Sequence, residues 1–328
     1  MRQISKQYQG GKVTNYQAAI TLVLLIALQA CSPPATPVTQ TPLPSRESRI
    51  PAEAVKQTPE EDPLPPVLHN PAWEDPLPMP GPINTAGGED APFITPDGET
   101  FLFFFTPDTR IPAQQQLTDG VTGIYQSRLV NGRWTTPQKL ILSKKAALDG
   151  CPFLREKRLW FCTVREGATG VHWFTAEWET GGWKNWQPAN FDPAHQVGEL
   201  HISPDGERLY YHSDRPGGLG NNDLWMLRKS ADGWHIPENI SAVNSPEDDS
   251  RPFLSPDGQE LWFTRSYQGS PAVFRSRQVE GKWQEPELII SQFAGEPTLD
   301  SAGNLYFVHH FVQNGVIIEA DIYLARKK

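Results

Sequence analysis

Short apolar, aromatic runs alternate with polar turns along most of this chain, and runs of that length bounded by Pro, Asp and Gly predict strands rather than helices. Five such runs are Phe101-Leu102-Phe103-Phe104, Leu159-Trp160-Phe161, Leu209-Tyr210-Tyr211, Leu261-Trp262-Phe263 and Leu305-Tyr306-Phe307. A short strand and a turn precede each. Ala91-Pro92-Phe93-Ile94-Thr95-Pro96-Asp97-Gly98 recurs as Arg251-Pro252-Phe253-Leu254-Ser255-Pro256-Asp257-Gly258, and again as Leu200-His201-Ile202-Ser203-Pro204-Asp205-Gly206. In these turns Pro fixes φ, Asp caps the bend and Gly takes the positive φ. Cys151-Pro152-Phe153-Leu154 and Glu296-Pro297-Thr298-Leu299 are degenerate copies. Anchors at 92, 152, 200, 252 and 297 have the spacing of propeller blades.

A third strand closes each copy, at Gly123-Ile124-Tyr125, Val171-His172-Trp173-Phe174, Asp223-Leu224-Trp225, Ala272-Val273-Phe274 and Asp321-Ile322-Tyr323. A fourth opens on Trp134, Trp183, Trp234 or Trp283, with Pro137, Pro237 and Pro286 following in three of the four. Proline in a sheet belongs on an edge strand, which the outermost strand of a blade is. The last copy lacks a fourth strand, and Trp73-Glu74-Asp75-Pro76 carries the missing signature at the other end of the repeats. The expected fold is therefore all-β: a five-bladed β-propeller of four-stranded antiparallel blades over residues 70–328. Its blades start near 89, 149, 198, 249 and 295, and the strand near Trp73 completes the last blade and hides the edges that would pair with other chains.

Ser203-Pro204-Asp205-Gly206 through Ser213-Asp214-Arg215-Pro216-Gly217-Gly218-Leu219-Gly220-Asn221-Asn222-Asp223-Leu224-Trp225, with Trp234 through Val243-Asn244-Ser245 to Pro252, resembles the WD40-like β-propeller repeat of the SPDG type. Such repeats occur in the periplasmic Tol translocation protein and in many envelope lipoproteins. The resemblance spans nearly all of residues 73–328, strongest in the third and fourth copies. It implies a periplasmic binding or assembly module without catalytic residues of its own.

The N-terminal region changes the picture from a free propeller to a tethered one. Arg2, Lys6 and Lys12 precede an uncharged run from Ala18 to Ala30. This is a signal-peptide pattern, and the run is short of the roughly 20 apolar residues a permanent span needs. It ends in Leu28-Gln29-Ala30-Cys31, which resembles the lipobox of bacterial lipoproteins and makes residues 1–30 a leader and Cys31 the lipidated residue. Ser32 follows in place of the family's inner-membrane retention Asp, which points to the periplasmic face of the outer membrane. From Ser32 to Pro82 the chain holds fifteen of its 32 prolines. Residues 31–69 are accordingly expected to be a disordered, extended tether.

The net charge is −9, more acidic still without the leader's cations, which argues against nucleic-acid binding. Cys151 and Cys162 flank a hairpin predicted to turn at Glu156-Lys157, which sets them opposite each other. In an oxidising periplasm they form a disulfide or stay as two buried thiols; a hydrogen-bonded cross-strand pair is the less favourable spacing for the bond.

Acids recur just before each inner strand, at Glu89, Asp149, Glu199, Asp249 and Glu296, and the loops after the second strands add Arg165, Arg215 and Arg265. Together they predict a charged funnel at the channel mouth. Either each acid caps its own turn or pairs with a neighbouring Arg, or the funnel captures a ligand. The Gly217–Gly220 run lacks the strand-to-helix setting of a phosphate cradle, and with Asn221, Asn222 and Asp223 it reads as a hydrogen-bonded turn before a calcium site. His201, His212, His309 and His310 have no metal-ligand spacing, so no metal and no cofactor is expected. The leading expectation is a monomeric, non-enzymatic, lipid-anchored module that binds a protein or envelope polymer. The enzymatic alternative is a five-bladed glycosidase using Asp90 or Asp149 with Glu296. Most tryptophans fall at repeating strand positions, which marks them as core. Cys31→Ser protein, fractionated from its host, is expected in the soluble fraction; continued sedimentation with membranes would contradict the lipid anchor.

Overall fold

The computed structural model describes residues 44–165, 171–192 and 194–328. The leader, Cys31 and the first part of the tether lie outside the described residues. No helix among the described residues is long and apolar enough to cross a membrane.

The body is all-β, built as a series of antiparallel repeats that form a β-propeller. Repeat 1 comprises Gly88–Ile94, Thr100–Thr106 and Gly123–Val130, edged by Arg133–Trp134 and Gln138–Lys139. Repeat 2 is Ala147–Arg155, Arg158–Arg165, His172–Glu179 and Gly182–Pro188, and repeat 3 is Leu200–Ile202, Arg208–Ser213, Asp223–Ser230 and Gly233–Asn239. Repeat 4 is Asp249–Leu254, Glu260–Tyr267 and Ser270–Val279, edged by Lys282–Trp283 and Glu287–Ser291. Repeat 5 is Ala294–Leu299, Leu305–Gln313 and Val316–Ala325. In each, the first strand pairs with the second and the second with the third.

The first strands of consecutive repeats touch one another, and that of repeat 5 touches that of repeat 1. A single parallel bridge, Ala320 to Gly88, joins the sheets of repeats 5 and 1. Leu77–Pro78 pairs antiparallel with the last strand, Leu77 with Leu324 and Pro78 with Tyr323, and Trp73 bridges Lys327. Trp73 is buried and packs edge-on against Trp262 with centroids 5.5 Å apart, as Trp283 packs on Tyr210 of the repeat before it. The N-terminal strand thus occupies, beside repeat 5, the place that a repeat's own fourth strand takes elsewhere.

The turns follow from their residues. Gly98, Gly206 and Gly258 hold φ near +75° (73°, 78° and 73°), which only glycine adopts without cost. In each, the Asp side chain accepts from the backbone two residues on (Glu99, Glu207 and Gln259, at 2.9, 3.0 and 3.0 Å). The Thr95, Ser203 and Ser255 hydroxyls accept from the backbone that opens the second strand.

Two expectations need correction. Cys151 does not sit in plain register opposite Cys162. Arg155 pairs with Arg158 and Phe153 with Trp160, but a bulge follows and Gly150 pairs with Cys162. Cys151 is the extra residue, at φ 51°, and its Cα lies 5.4 Å from that of Cys162, to which it is disulfide-bonded. The bulge takes Cys151 out of the ladder and re-aims its side chain toward Cys162, at a Cα separation that a disulfide accommodates.

The second correction concerns the tether. Its described part, residues 44–69, is not free chain but a strap laid on the body. Arg46 Nη1 donates to Glu89 at 3.1 Å, with both side chains buried, and Arg46 also donates to the Pro82 carbonyl. Lys56 pairs with Glu319 and Asp321, Asp62 meets His309 at 2.8 Å, and Val67–Leu68 adds a strand outside Glu287–Ser291. Its composition gives it no core of its own, and the ion pairs and strand edge of the body order it instead. Arg46→Ala would leave Glu89 buried and uncompensated, and denaturant unfolding should register a loss of about 3 kcal/mol; an unchanged midpoint would show that the strap is not held this way.

Candidate functional site

The inner strands of repeats 1, 2, 4 and 5 all carry the bulge seen at Cys151, and the bulged residue in each precedes the anchor proline. These residues are Ala91, Cys151, Arg251 and Glu296, with φ between 46° and 56°. A non-glycine residue there stores on the order of 1 kcal/mol of strain. All four line a central cavity of about 50 Å³, joined by Glu199 from repeat 3. In repeat 3, counted from the same turn, His201 pairs with Tyr210 and stands at the register position that Phe93, Phe153 and Phe253 hold elsewhere. The four rings meet below the cavity, with His201 4.6 Å from Phe153 and 4.5 Å from Phe253, and close the axis there.

At the mouth, Arg251 reaches across repeats. Its guanidinium pairs with Glu296 of repeat 5 and with Glu199 of repeat 3 at 3.4 Å. Glu296 also accepts from the Ala91 backbone at 2.8 Å, and the Thr264 hydroxyl accepts from the Glu296 backbone at 2.8 Å. His212 Nδ1 accepts from the Arg251 backbone at 3.3 Å, which requires a neutral ring, and burial followed by the Arg251 charge pushes its pKa down to about 3. Burial does the same to His201, whose Nδ1 accepts from Leu254 at 3.2 Å.

Burial, then the charges of Asp90 and Glu199, push Glu296 well above the usual carboxylate range. Burial works against ionisation of Asp90 too, but His310, 3.9 Å away, and then the Glu296 carboxyl and the Arg251 charge hold it below that range. The opposed shifts make Glu296, rather than Asp90, the member of the pair that takes up a proton first. Burial raises Glu199, with Arg251 opposing.

The predicted funnel of eight residues does not assemble. Only Glu199 and Glu296 line the central cavity. Glu89, Asp149 and Asp249 lie further up their strands and are turned into the repeats. Glu89 accepts from the Thr85 backbone and hydroxyl, and Asp249 from those of Ser245. The Thr163 hydroxyl donates to Asp149 at 2.6 Å. Burial raises all three, Glu89 to about 7.

The arginines are clamps on the third strand's ring. Arg165 lies 4.0 Å over Phe174, Arg215 4.9 Å over Trp225 and Arg265 4.8 Å over Phe274. Arg265 pairs with Asp249 at 2.6 Å and Arg215 with Asp192 at 2.5 Å. In repeat 1 the strap supplies the cation, because Arg46 lies 5.8 Å over Tyr125 and pairs with Glu89. The Asp223 carboxylate is spent on the Leu219 and Gly220 backbone, as expected of a hydrogen-bonded turn. No cluster of metal-ligating side chains occurs among the described residues.

Arg251, His212 and His310 were missed as mouth residues. The cue for Arg251 was legible: like Glu296 it stands immediately before an anchor proline. The histidines come from the second strands of repeats 3 and 5 and left no such mark.

No family model matches the chain, and no curated protein does. Among solved structures it is similar to TolB from Acinetobacter baumannii, at 15% identity and a TM-score of 0.42, over 74% of this chain and 56% of that one. It is similar to the putative TolB from Agrobacterium tumefaciens, at 17% identity and 0.42, over 74% and 84%. A third is the Bacteroides ovatus xyloglucan PUL GH43B, at 14% and 0.48, over 76% and 54%. The chain thus spans just over half the length of the first and third. Likenesses this distant carry no argument about activity.

Glu89 offers a test of the buried-acid geometry. Its pKa is raised on folding, so the folded state keeps the proton longer, and its contribution is full below about pH 4.5 and lost as pH rises through about 7. Between pH 4.5 and 8 the parent should lose about 3 kcal/mol more stability than Glu89→Gln. Parallel stability–pH curves for the two proteins would refute this.

Proposed function

We propose that this chain is a non-enzymatic five-bladed propeller, tethered through lipidated Cys31 to the periplasmic face of the outer membrane, that binds a protein or envelope polymer at its channel mouth. The cyclic contact of the five first strands and the pairing of Leu77–Pro78 with the last strand support five blades and closure from the N-terminal side.

One observation carries the choice of binding over catalysis. The carboxyls at the mouth are held against Arg251 and against each other, round a cavity of about 50 Å³. That is well below the roughly 300–1,000 Å³ of pockets that enclose a small-molecule ligand. Glycosidases need two carboxyls about 5 to 9.5 Å apart with the sugar between them. Glu296 is instead tied to the Arg251 guanidinium and to the Ala91 backbone. Arg251 and Glu199 are partly exposed at the mouth and present opposite charges to an incoming partner. That is a surface for recognition by charge complementarity.

The decisive experiment is capture from solubilised envelopes by the tagged mature protein, compared with Arg251→Gln and Glu199→Gln. Specific partners should be lost at least tenfold in both variants while thermal midpoints stay within a few degrees. Undiminished capture, or hydrolysis of aryl glycosides that Glu296→Gln abolishes, would overturn the reading.

A further inference from the structure

Repeat 2 departs from the pattern of its neighbours at one place on the surface. Opposite each repeat's fourth-strand tryptophan, the third strand carries Leu129, Trp178, Lys229 or Gln278. Repeat 2 alone puts a second indole there. Its inner turn departs as well, since Arg155-Glu156-Lys157-Arg158 replaces the Pro-Asp-Gly bend. Core packing explains the repeating tryptophans but not Trp178, whose side is turned to solvent. It is 41% exposed and is the only exposed aromatic residue among the described residues.

Trp178 is held rigidly for an exposed group. It packs edge-on against buried Trp183, with centroids 5.4 Å apart. It lines a groove of about 490 Å³ with Trp160, under a rim of Arg158, Glu177, Glu179 and Lys229. Arg158 pairs with Glu177 and lies 5.9 Å over Trp160, while Lys184 pairs with Glu179 at 3.6 Å. The groove is of a size typical of ligand sites. It combines a flat apolar platform with a rim rich in both donors and acceptors.

We propose that this groove binds a glycan chain, with the C–H face of a pyranose ring stacked on Trp178 and its equatorial hydroxyls hydrogen-bonded to the Arg158–Glu177 and Glu179 rim. A sugar ring matches both halves of the site, being apolar on its faces and hydrogen-bonding at its edge. A protein partner would need roughly 800 Å² of complementary surface on this side, whereas the groove is lined, Trp160 and Trp178 apart, by charged side chains. Those charges carry both signs, Arg155, Lys157, Arg158 and Lys229 against Glu156, Glu177 and Glu179, so they do not select a peptide of one sign. The site is remote from the channel mouth and does not depend on that reading.

Isothermal titration of the mature protein with cellohexaose and with chitohexaose tests it. At least one should bind, and Trp178→Ala should lose tenfold or more in affinity with a thermal midpoint lowered by a few degrees at most, since the side chain removed is 41% exposed and edge-packed on Trp183. Glu179→Gln should weaken binding less and leave the fold intact, which separates loss of contact from loss of structure. Absence of binding by both hexasaccharides, equal affinity in Trp178→Ala, or binding of choline in their place would overturn the proposal.

Discussion

The fold depends on a guanidinium laid over an aromatic ring of the third strand in repeats 1 to 4, paired in three of them with a buried carboxylate. Arg215 and Arg265 do this for Trp225 and Phe274 with Asp192 and Asp249. Arg165 covers Phe174 beside Asp149. Guanidinium suits the task because it is flat and weakly hydrated, so it stacks on a ring and still pairs in-plane with a carboxylate. Repeats 1 and 5 have no such arginine of their own. The strap supplies Arg46 to the first, and in the last His309 packs 5.2 Å from Tyr323 and is held by Asp62 of the strap. A segment that reads as spacer is thereby made part of the core's electrostatics. Burial raises Glu319 to about 7 and Asp321 to about 6, so Lys56 of the strap answers carboxylates that nothing else nearby neutralises.

With structural charge confined to those clamps, the central mouth is free to differ from repeat to repeat. The bulge fixes the direction of four side chains and leaves their identity open: Ala91, Cys151, Arg251 and Glu296 share one geometry and have four chemistries. A bulge re-aims a side chain without disturbing the ladder on either side. The same economy explains repeat 2, whose framework tryptophan Trp183 is buried as the pattern requires while Trp178 opposite it is not.

Much of this was legible along the chain. Thr95 to Gly98 and its copies specify their turns through local hydrogen bonds alone, and the aromatic runs that follow are buried as their composition implies. Trp73 was placed beside the last strand by pattern and lies there. The acids were a different matter. Glu89, Asp149, Glu199, Asp249 and Glu296 all read as residues just before an inner strand, yet they occupy different offsets from the anchor proline. Glu296 is the bulged residue immediately before its proline, whereas Asp249 lies two residues further back on the regular ladder, and a bulge re-aims the side chain it carries. Glu296 therefore enters the mouth and Asp249 turns inward to Arg265.

What the sequence determined by itself was whatever is decided within a few residues: turns, strand composition, the repeat, and the supply of a strand from the N-terminal end. These depend on local backbone preference and on apolar burial, and both are written in the order of residues. Only the tertiary structure decided which charges meet. Arg46 and Glu89 are 43 residues apart, Lys56 and Glu319 are 263 apart, and Arg251 joins acids from two other repeats. A buried ion pair is specified by the space left between packed elements and by the cost of leaving either partner alone, and neither exists until the repeats have come together.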